Sequence, residues 1–239
     1  MGIIDSLNFK AIIFDLFGTL TPAVSINSMN RLMEKMARNV AIDPKKFRLK
    51  WFSISTDRIL GVYKNFDEAY IYVCSLFGIY PDANQIEQAK QIRFSHVQDS
   101  LYPREGALEI LHSLKKEGLK IGLISDAFPE QVILWSESPF PKFFDTVVFS
   151  CVEKVKKPSS KIYRIACERL SVCANQCIYV GDGGSNELSG ASQMGMKAIL
   201  LEDIKEKIQN IYRAEGEQWN GLKISQLCHL KKLIMKYNQ

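Results

Sequence analysis

The sequence predicts an α/β fold: a doubly wound parallel sheet with helices on both faces, into which an all-helical segment is inserted. The first observation is a set of short apolar runs, each long enough for one buried strand. These runs are residues 11–17, 120–125, 146–151, 177–181 and 197–201. The second observation is a helical period of apolar residues in 105–117 and 159–170, between the later runs. Strands that alternate with helices favour a parallel sheet.

The third observation is a long stretch, from about Val24 to Asp99, that has helical patterns and no convincing strand. Four helices are predicted there, at residues 27–40, 44–61, 66–77 and 83–97. Asp43–Pro44 and Pro81–Asp82 are typical of helix starts. We therefore predict a core domain of residues 1–21 and 100–239 and a helical cap domain of residues 22–99. A last amphipathic helix is predicted at 221–237.

Composition excludes several functional classes. The chain has 239 residues and a formal net charge of +5, a mild excess that argues against nucleic-acid binding. Its six cysteines form no Cys-x-x-Cys pair and its three histidines are far apart, which argues against a zinc site. The N-terminal residues do not resemble a signal peptide, and no apolar run approaches the roughly 18 residues of a membrane span. We expect a cytoplasmic protein without a membrane partner, either monomeric or homodimeric.

Polar residues follow three of the predicted strands. In an open α/β sheet, ligands bind at the carboxyl edge, where such residues would meet. Taken singly, each has an ordinary structural explanation: Asp15 could cap a turn, Ser125 could satisfy a strand end, and Asp182 could start a helix. The residues concerned are Asp15 with Gly18 and Thr19, Ser125 with Asp126, and Asp182 with Glu187.

Together with Lys157-Pro158, these motifs resemble the four motifs of the haloacid dehalogenase superfamily. The pattern of that family is Asp-x-Asp-Gly-Thr, then Ser or Thr after a strand, then Lys before Pro, then Gly-Asp followed by another acid. The resemblance covers residues 11–201, in the family's order and with a helical insertion in the expected place. It implies a Rossmann-like core, a helical cap and a hydrolase that acts on a small anionic substrate.

The resemblance also implies a role for each motif residue. Asp15 would be the nucleophile and form an aspartyl intermediate, while Ser125 and Lys157 would donate to phosphoryl oxygens as negative charge develops there. Mg²⁺ would be the cofactor because hard cations take oxygen ligands. The implied metal ligands are Asp15, the backbone carbonyl of Phe17, Asp182 and Glu187, the last directly or through water. The implied substrate-binding residues are Gly18, Thr19 and Asp126.

Phe17 departs from the family pattern, because phosphatases of the family have a second aspartate at this position. That aspartate protonates the leaving group and then activates water, a contribution of roughly 10²–10⁴-fold. Three consequences are open: the enzyme takes substrates with good leaving groups, another side chain replaces the aspartate, or catalysis is vestigial. Candidates for the replacement are His96, Asp99 and Glu105.

Phe17 also leaves a second enzymatic hypothesis open. The L-2-haloacid dehalogenases have an aromatic residue at this place, use no metal and lack the Gly-Asp carboxylate. The chain retains Asp182 and Glu187, and two acids beside Asp15 suit Mg²⁺ better than a bare anion. The sequence therefore favours a Mg²⁺-dependent phosphatase of small phosphorylated metabolites over a dehalogenase, and both over a binding or regulatory protein on the same scaffold.

Substrate choice would come from the cap, although the sequence selects no single residue there. The candidates are Arg48, Trp51, Arg58, Tyr63, Lys64, Arg93 and His96.

Overall fold

A single parallel sheet organises the chain. The computed structural model describes residues 9–203 and 218–237, and within them six strands pair in the order β3-β2-β1-β4-β5-β6. Strand order reverses between β1 and β4, and ligands of open parallel sheets bind outside the carboxyl ends of the strands at such a point. The strands are β1 (Ala11–Phe14), β2 (Lys120–Ser125), β3 (Thr146–Phe149), β4 (Cys177–Gly181), β5 (Lys197–Leu201) and β6 (Leu222–Ile224).

Helices cover both faces of the sheet and form the segment between β1 and β2. Within the described residues, no helix is both long and apolar enough to cross a membrane. The helices are α1 (Ile26–Arg38), α2 (Pro44–Ser53), α3 (Ser55–Ile59), α4 (Phe66–Ser75), α5 (Ala83–Ser100), α6 (Ala107–Lys116), α7 (Pro129–Trp135), α8 (Ser150–Glu153), α9 (Ser160–Leu170), α10 (Glu187–Gln193) and α11 (His229–Tyr237).

Side chains that alternate in direction along the strands contribute to two apolar cores, one on each face of the sheet. In β1, Ile12 and Phe14 belong to one apolar cluster, whereas Ala11 and Ile13 belong to the other. The first cluster includes residues of α6 and α11, and the second includes residues of α9 and α10. Because successive strand residues point to opposite faces, a strand that is apolar throughout must be covered on both sides. The predicted doubly wound parallel sheet is confirmed.

The helical segment has an apolar cluster of its own. Phe47 stacks on Trp51 with ring centroids 5.8 Å apart, and Phe66 stacks on Tyr70 at 5.5 Å. Helix α5 connects this cluster to the sheet, because its Ala89 packs within the segment. Farther along α5, residues pack against the core beside β1.

Two side-chain caps confirm the predicted helix starts in this segment. The Asp43 carboxylate accepts from Lys46 N ahead of α2, and the Asp82 carboxylate accepts from Gln85 N ahead of α5. The division into a core and a cap domain stays a prediction. Helix α5 ends at Ser100, so the predicted boundary falls in its last turn. Residues 1–8, 204–217 and 238–239 of the predicted core domain lie outside the described part of the chain.

Several predicted boundaries were wrong. The helix predicted at 44–61 is two helices, α2 and α3, because the backbone at Ile54 leaves the helical region. The run 11–17 is a strand only as far as Phe14, since the N–H groups of Thr19, Leu20 and Thr21 all donate to Leu16 O in a turn.

The predicted tail helix at 221–237 was also wrong in its first half. Leu222–Ile224 forms β6, and the helix begins only at His229. Strand β5 offers an open edge, and pairing of Ile199 with Leu222 satisfies backbone groups there. Helical periodicity in the sequence carries no signal of that distant edge.

Candidate active site

The predicted motif residues converge at the carboxyl edge of the sheet. Asp15 follows β1, Ser125 ends β2, and Asp182 follows β4, and these three strands are neighbours. Lys157 reaches the same place from the loop between α8 and α9, and Glu187 from the first residue of α10; all five side chains are buried. Sequence reasoning therefore identified a cluster that the fold does bring together.

Lys157 lies at the centre of the cluster. Its Nζ is 2.5 Å from Asp15 Oδ1 and 2.5 Å from Glu187 Oε2. Burial by itself would lower the pKa of this ammonium group, but the charges of Asp15, Glu187 and Asp126 together raise the pKa well above its ordinary value. Lys157 is therefore a fixed cation beside Asp15.

Glu187 is bound on both carboxylate oxygens by protein donors. Its Oε1 accepts from Gly183 N at 3.0 Å, and its Oε2 accepts from Lys157 and from Tyr179 OH, the latter at 2.8 Å. Burial, followed by the charge of Asp15, raises the pKa of Glu187 to about 8, against the opposing effect of Lys157. Of the two roles predicted for Glu187, these contacts favour an indirect contact with a metal ion through water.

The acidic residues have the arrangement that a hard cation requires. Oxygens of Asp15, Asp182 and Glu187 all lie within 4.8 Å of one another, and all three residues are buried. Carboxylates taken out of water repel each other unless a cation compensates them, and Lys157 supplies only one positive charge. Mg²⁺ accepts oxygen ligands and would complete the compensation, so the residues present fit this ion.

Ser125 carries a buried hydroxyl without a hydrogen bond to any part of the chain that the structure describes. Its residue is 1% exposed, and within the described residues Oγ has no partner. A buried polar atom without a partner is costly and is expected to bind something at a functional site. Ser125 lines a cavity of about 820 Å³ together with Asp15, Lys157 and Asp182. Its position fits the predicted role of a donor to a phosphoryl oxygen.

Asp126 and Thr19 both make contacts that orient neighbouring groups, and Asp126 also lines the cavity. Asp126 Oδ1 accepts from the main-chain N of Lys157 at 3.0 Å, and burial raises its pKa despite the charge of Lys157. Thr19 is fully buried, and its Oγ1 donates to Asp15 Oδ2 at 3.1 Å. Together these contacts hold the Asp15 carboxylate and the loop that carries Lys157.

Gly18 allows the loop after β1 to approach Asp182 closely. Its φ is +81°, and a Cβ at this position would lie 2.2 Å from Asp182 Oδ2. The side chain of Arg104, in the loop after α5, donates to Gly18 O at 3.0 Å and holds the turn in place. Gly18 lines the cavity, as expected of a substrate-binding position.

Sequence reasoning missed Arg104 and Tyr179. A tyrosine inside the otherwise nonpolar and fully buried β4 was a signal for Tyr179, because a buried hydroxyl needs a partner. Arg104 gave no comparable signal, since its contact with Gly18 spans 86 residues of chain.

Comparison with known proteins decides the family. A family model of haloacid dehalogenase-like hydrolases matches residues 9–195. The chain belongs to the haloacid dehalogenase-like hydrolases. It is 28% identical over 200 residues to a glyceraldehyde 3-phosphate phosphatase of Pyrococcus abyssi, covering 81% of each chain. It is 25% identical over 231 residues to an (S)-2-haloacid dehalogenase of Pseudomonas putida, covering 90% of this chain and 97% of the relative.

A solved structure supports the same family fold. The crystal structure of a HAD phosphatase from Thermococcus onnurineus superimposes with a TM-score of 0.65 at 20% identity, over 95% of this chain and 98% of that chain. Both phosphatases and dehalogenases are thus among the relatives of this haloacid dehalogenase-like hydrolase. The choice between the two reactions depends on the residues of the site.

Of the three side chains predicted to replace the missing aspartate of the haloacid dehalogenase-like pattern, His96 has the best position. It lines the cavity, whereas within the described residues Asp99 and Glu105 do not. Burial, followed by the charge of Arg93, lowers the pKa of His96 to about 4, although Asp99 opposes this shift. A neutral imidazole accepts a proton from water more readily than it protonates a leaving group. His96 is therefore better suited to activate water than to protonate the leaving group.

The low pKa of His96 predicts a loss of stability in acid. In the unfolded chain, His96 becomes protonated as the pH falls through its ordinary pKa of 6.5. In the folded protein it becomes protonated only when the pH reaches about 4. The free energy of unfolding should therefore fall as pH decreases through this window. His96→Asn should reduce this loss in the free energy of unfolding between pH 7 and pH 5 by about 1 kcal/mol, a value that allows for the partial exposure of the side chain. Urea unfolding at the two pH values gives the measurement. The exposed His112→Asn is the control, and an equal slope in His96→Asn and wild type would contradict the prediction.

Gly18→Ala should weaken the site through Asp182. The new Cβ forces Asp182 Oδ2 to move and also places alanine at a positive φ, which costs about 1–2 kcal/mol. Gly118→Ala is a matched control because its φ is +78° with no atom within 4 Å of the added Cβ. Both variants should lose stability to the same backbone strain, and Gly18→Ala should lose more because of its contact with Asp182; only Gly18→Ala should need at least about tenfold more Mg²⁺ for half-maximal activity. Equal Mg²⁺ requirements in the two variants would mean that Gly18 does not position Asp182.

Proposed function

We propose that this hydrolase is a Mg²⁺-dependent phosphatase that acts on a small phosphorylated metabolite through an aspartyl phosphate on Asp15. The observation that carries the proposal is the buried group of Asp15, Asp182 and Glu187 around a single lysine. Two acids beyond the nucleophile make a poor site for a haloacid carboxylate without a metal ion. The same acids make a suitable site for a cation and the phosphate that it accompanies.

Residues of the chain divide the reaction between them. The Asp15 carboxylate attacks phosphorus, a P–O bond forms to the carboxylate, and the bond to the leaving alcohol breaks with its electron pair. Lys157 and Ser125 donate to the phosphoryl oxygens as their charge increases. Water then attacks the aspartyl phosphate, which releases inorganic phosphate and restores Asp15. Phe17 can neither protonate the departing alkoxide nor accept a proton from this water, so solvent water supplies the one proton and takes up the other, and both transfers are expected to be slow.

The metal ligands would be Asp15, the backbone carbonyl of Phe17 and Asp182, with Glu187 acting through water. When bound, Mg²⁺ offsets the repulsion between a carboxylate nucleophile and an anionic phosphate. Glu187 would then mainly fix Lys157, because its own oxygens already accept from Lys157, Tyr179 and Gly183.

The helical segment would act as a cap that selects the substrate and excludes water. Residues of α1, α2 and α5 line the same cavity as the motif residues, which supports this role. A cavity of about 820 Å³ suits a small metabolite. The phosphatase from Pyrococcus abyssi acts on glyceraldehyde 3-phosphate, and we infer a substrate of similar size here. A cytoplasmic location and a monomeric or homodimeric state stay predictions.

The proposal is tested with 4-nitrophenyl phosphate as the aryl ester and glycerol 3-phosphate as the alkyl ester. With Mg²⁺, we expect the aryl ester to turn over at least about 10²-fold faster, because its leaving group needs little protonation. EDTA should abolish activity, and excess Mg²⁺ should restore it. Equal rates on the two esters would contradict the role given to Phe17, and hydrolysis that persists in EDTA would contradict the metal requirement.

Dehalogenation is the second candidate, because Phe17 is the aromatic residue expected of that branch and lines the cavity. It is tested by halide release from 2-chloropropionate in EDTA. Halide release without metal, together with no hydrolysis of either phosphate ester, would replace the phosphatase proposal.

A further inference from the structure

A buried group of charges joins the helical segment to the sheet beside the cavity. We name Arg58, Arg93 and Glu130 the arginine–glutamate cluster. Glu130 lies on α7, is fully buried, and accepts at Oε1 from Arg93 Nε at 2.8 Å and from Arg58 Nη2. Arg58 comes from α3 and Arg93 from α5, so the two cations belong to the helical segment and the anion to the element that follows β2.

The cluster carries two positive charges for one negative charge. The two guanidinium groups hold the pKa of Glu130 below its usual range, although burial alone would raise it, so the carboxylate is ionised. Burial of an uncompensated charge costs several kcal/mol unless a counter-charge is near. Among these three residues, Glu130 alone cannot compensate both guanidinium groups.

The two arginines differ in the contacts that their guanidinium groups make with the protein. The Arg58 guanidinium lies over Trp51 at 4.2 Å and over Phe128 at 4.1 Å, in addition to its ion pair with Glu130. Arg93 uses Nε for Glu130 and lies 5.5 Å from the ring of Phe128. Within the described residues, the terminal nitrogens of Arg93 have no hydrogen-bond acceptor.

Arg93 also borders the cavity that contains Asp15 and Lys157, as does Phe128. Its side chain is 3% exposed, so its terminal nitrogens have little access to bulk water. The hydrogen bond from Nε to Glu130 restrains the planar guanidinium group of Arg93 at the wall of the cavity. Such a plane recognises a carboxylate through two parallel hydrogen bonds.

We infer that Arg93 binds a carboxylate of the substrate, which makes the preferred substrate a phosphorylated carboxylic acid. The inference rests on the proposed function, since it assigns a phosphate to Asp15 and a second anionic group to Arg93. Glu130 is then a positioning residue that orients Arg93. His96 lines the cavity from the same helix and contributes no competing positive charge at neutral pH.

The test compares racemic 3-phosphoglycerate with racemic glycerol 3-phosphate, which differ only by a carboxylate in place of a hydroxymethyl group. For the wild type, kcat/KM should be at least about tenfold higher for the carboxylate ester. Arg93→Gln should lower this ratio at least about tenfold, and Arg93→Lys should give an intermediate ratio because it keeps the charge without the planar fork. An unchanged ratio in Arg93→Gln, or no preference in the wild type, would overturn the inference.

Controls separate recognition from folding. Arg38→Gln removes an arginine of the helical segment whose side chain is 74% exposed, and it should leave the ratio unchanged. Arg93→Gln leaves Glu130 paired with Arg58, so the buried carboxylate keeps a partner. Circular dichroism and thermal unfolding check the fold of each variant. Should Arg93→Gln not fold, the ratio measured for Arg93→Lys decides, and a wild-type ratio in that variant would overturn the inference.

Binding measurements distinguish failure of this inference from failure of the phosphatase proposal. Calorimetry with Asp15→Asn protein and Mg²⁺ should show at least about tenfold tighter binding of 3-phosphoglycerate than of glycerol 3-phosphate, and Arg93→Gln in that background should remove the difference. This result without hydrolysis by the wild type would retain the carboxylate site and reject the phosphatase. Hydrolysis of both esters without any preference would retain the phosphatase and reject the carboxylate site. Binding of neither compound would also reject the carboxylate site.

Discussion

Asp15→Asn should lower kcat/KM for 4-nitrophenyl phosphate by at least about 10³-fold, because a neutral amide is a very weak nucleophile. The substitution preserves size, and an amide oxygen can still accept from Lys157 Nζ, which lies 2.5 Å from Asp15 Oδ1. Loss of the charge, and not of packing, should therefore account for the effect. Steady-state kinetics at saturating Mg²⁺ gives the measurement.

Asp57→Asn is the matched control for this variant. Asp57 is an exposed carboxylate in α3, so the same chemical change there should leave kcat/KM at the wild-type value. Thermal unfolding of both variants shows whether the fold persists. Activity of Asp15→Asn within tenfold of the wild type would exclude Asp15 as the nucleophile.

Phe17→Asp should raise kcat for glycerol 3-phosphate by about 10²-fold, the lower end of the range for general acid–base catalysis. Phe17 lines the cavity beside Asp15, so a carboxyl group at this position lies within the site where the leaving alcohol departs. The gain should be much smaller for 4-nitrophenyl phosphate, whose leaving group needs little protonation. The ratio of kcat between the two esters is therefore the quantity to measure.

Phe17→Asn separates proton transfer from the loss of the phenyl ring. Phe17 packs partly against the core of the sheet, and both substitutions should lose that packing to a similar degree. Only the aspartate can donate and accept a proton. The same kcat ratio in the two variants would mean that proton transfer at residue 17 does not limit hydrolysis of alkyl esters.

The sequence by itself predicted the sheet and the position of the site. Five of the six described strands lie in short apolar runs of the sequence, and β1, β2 and β4 are followed directly by Asp15, Asp126 and Asp182. Because the strands are parallel, their carboxyl ends meet at one edge, and residues that follow them must lie near each other. Local signals likewise predicted the starts of α2 and α5, since a cap involves residues only three positions apart.

Only the tertiary structure decided which charges are paired. Lys157 and Asp15 are 142 residues apart, Arg93 and Glu130 are 37 apart, and no periodicity connects either pair. The same reason explains β6, which forms only because β5 presents an open edge. Burial and pairing depend on the packing of distant elements, so the ion pair between Glu187 and Lys157 and the place of Arg93 in the cavity wall follow from the fold and not from the motifs.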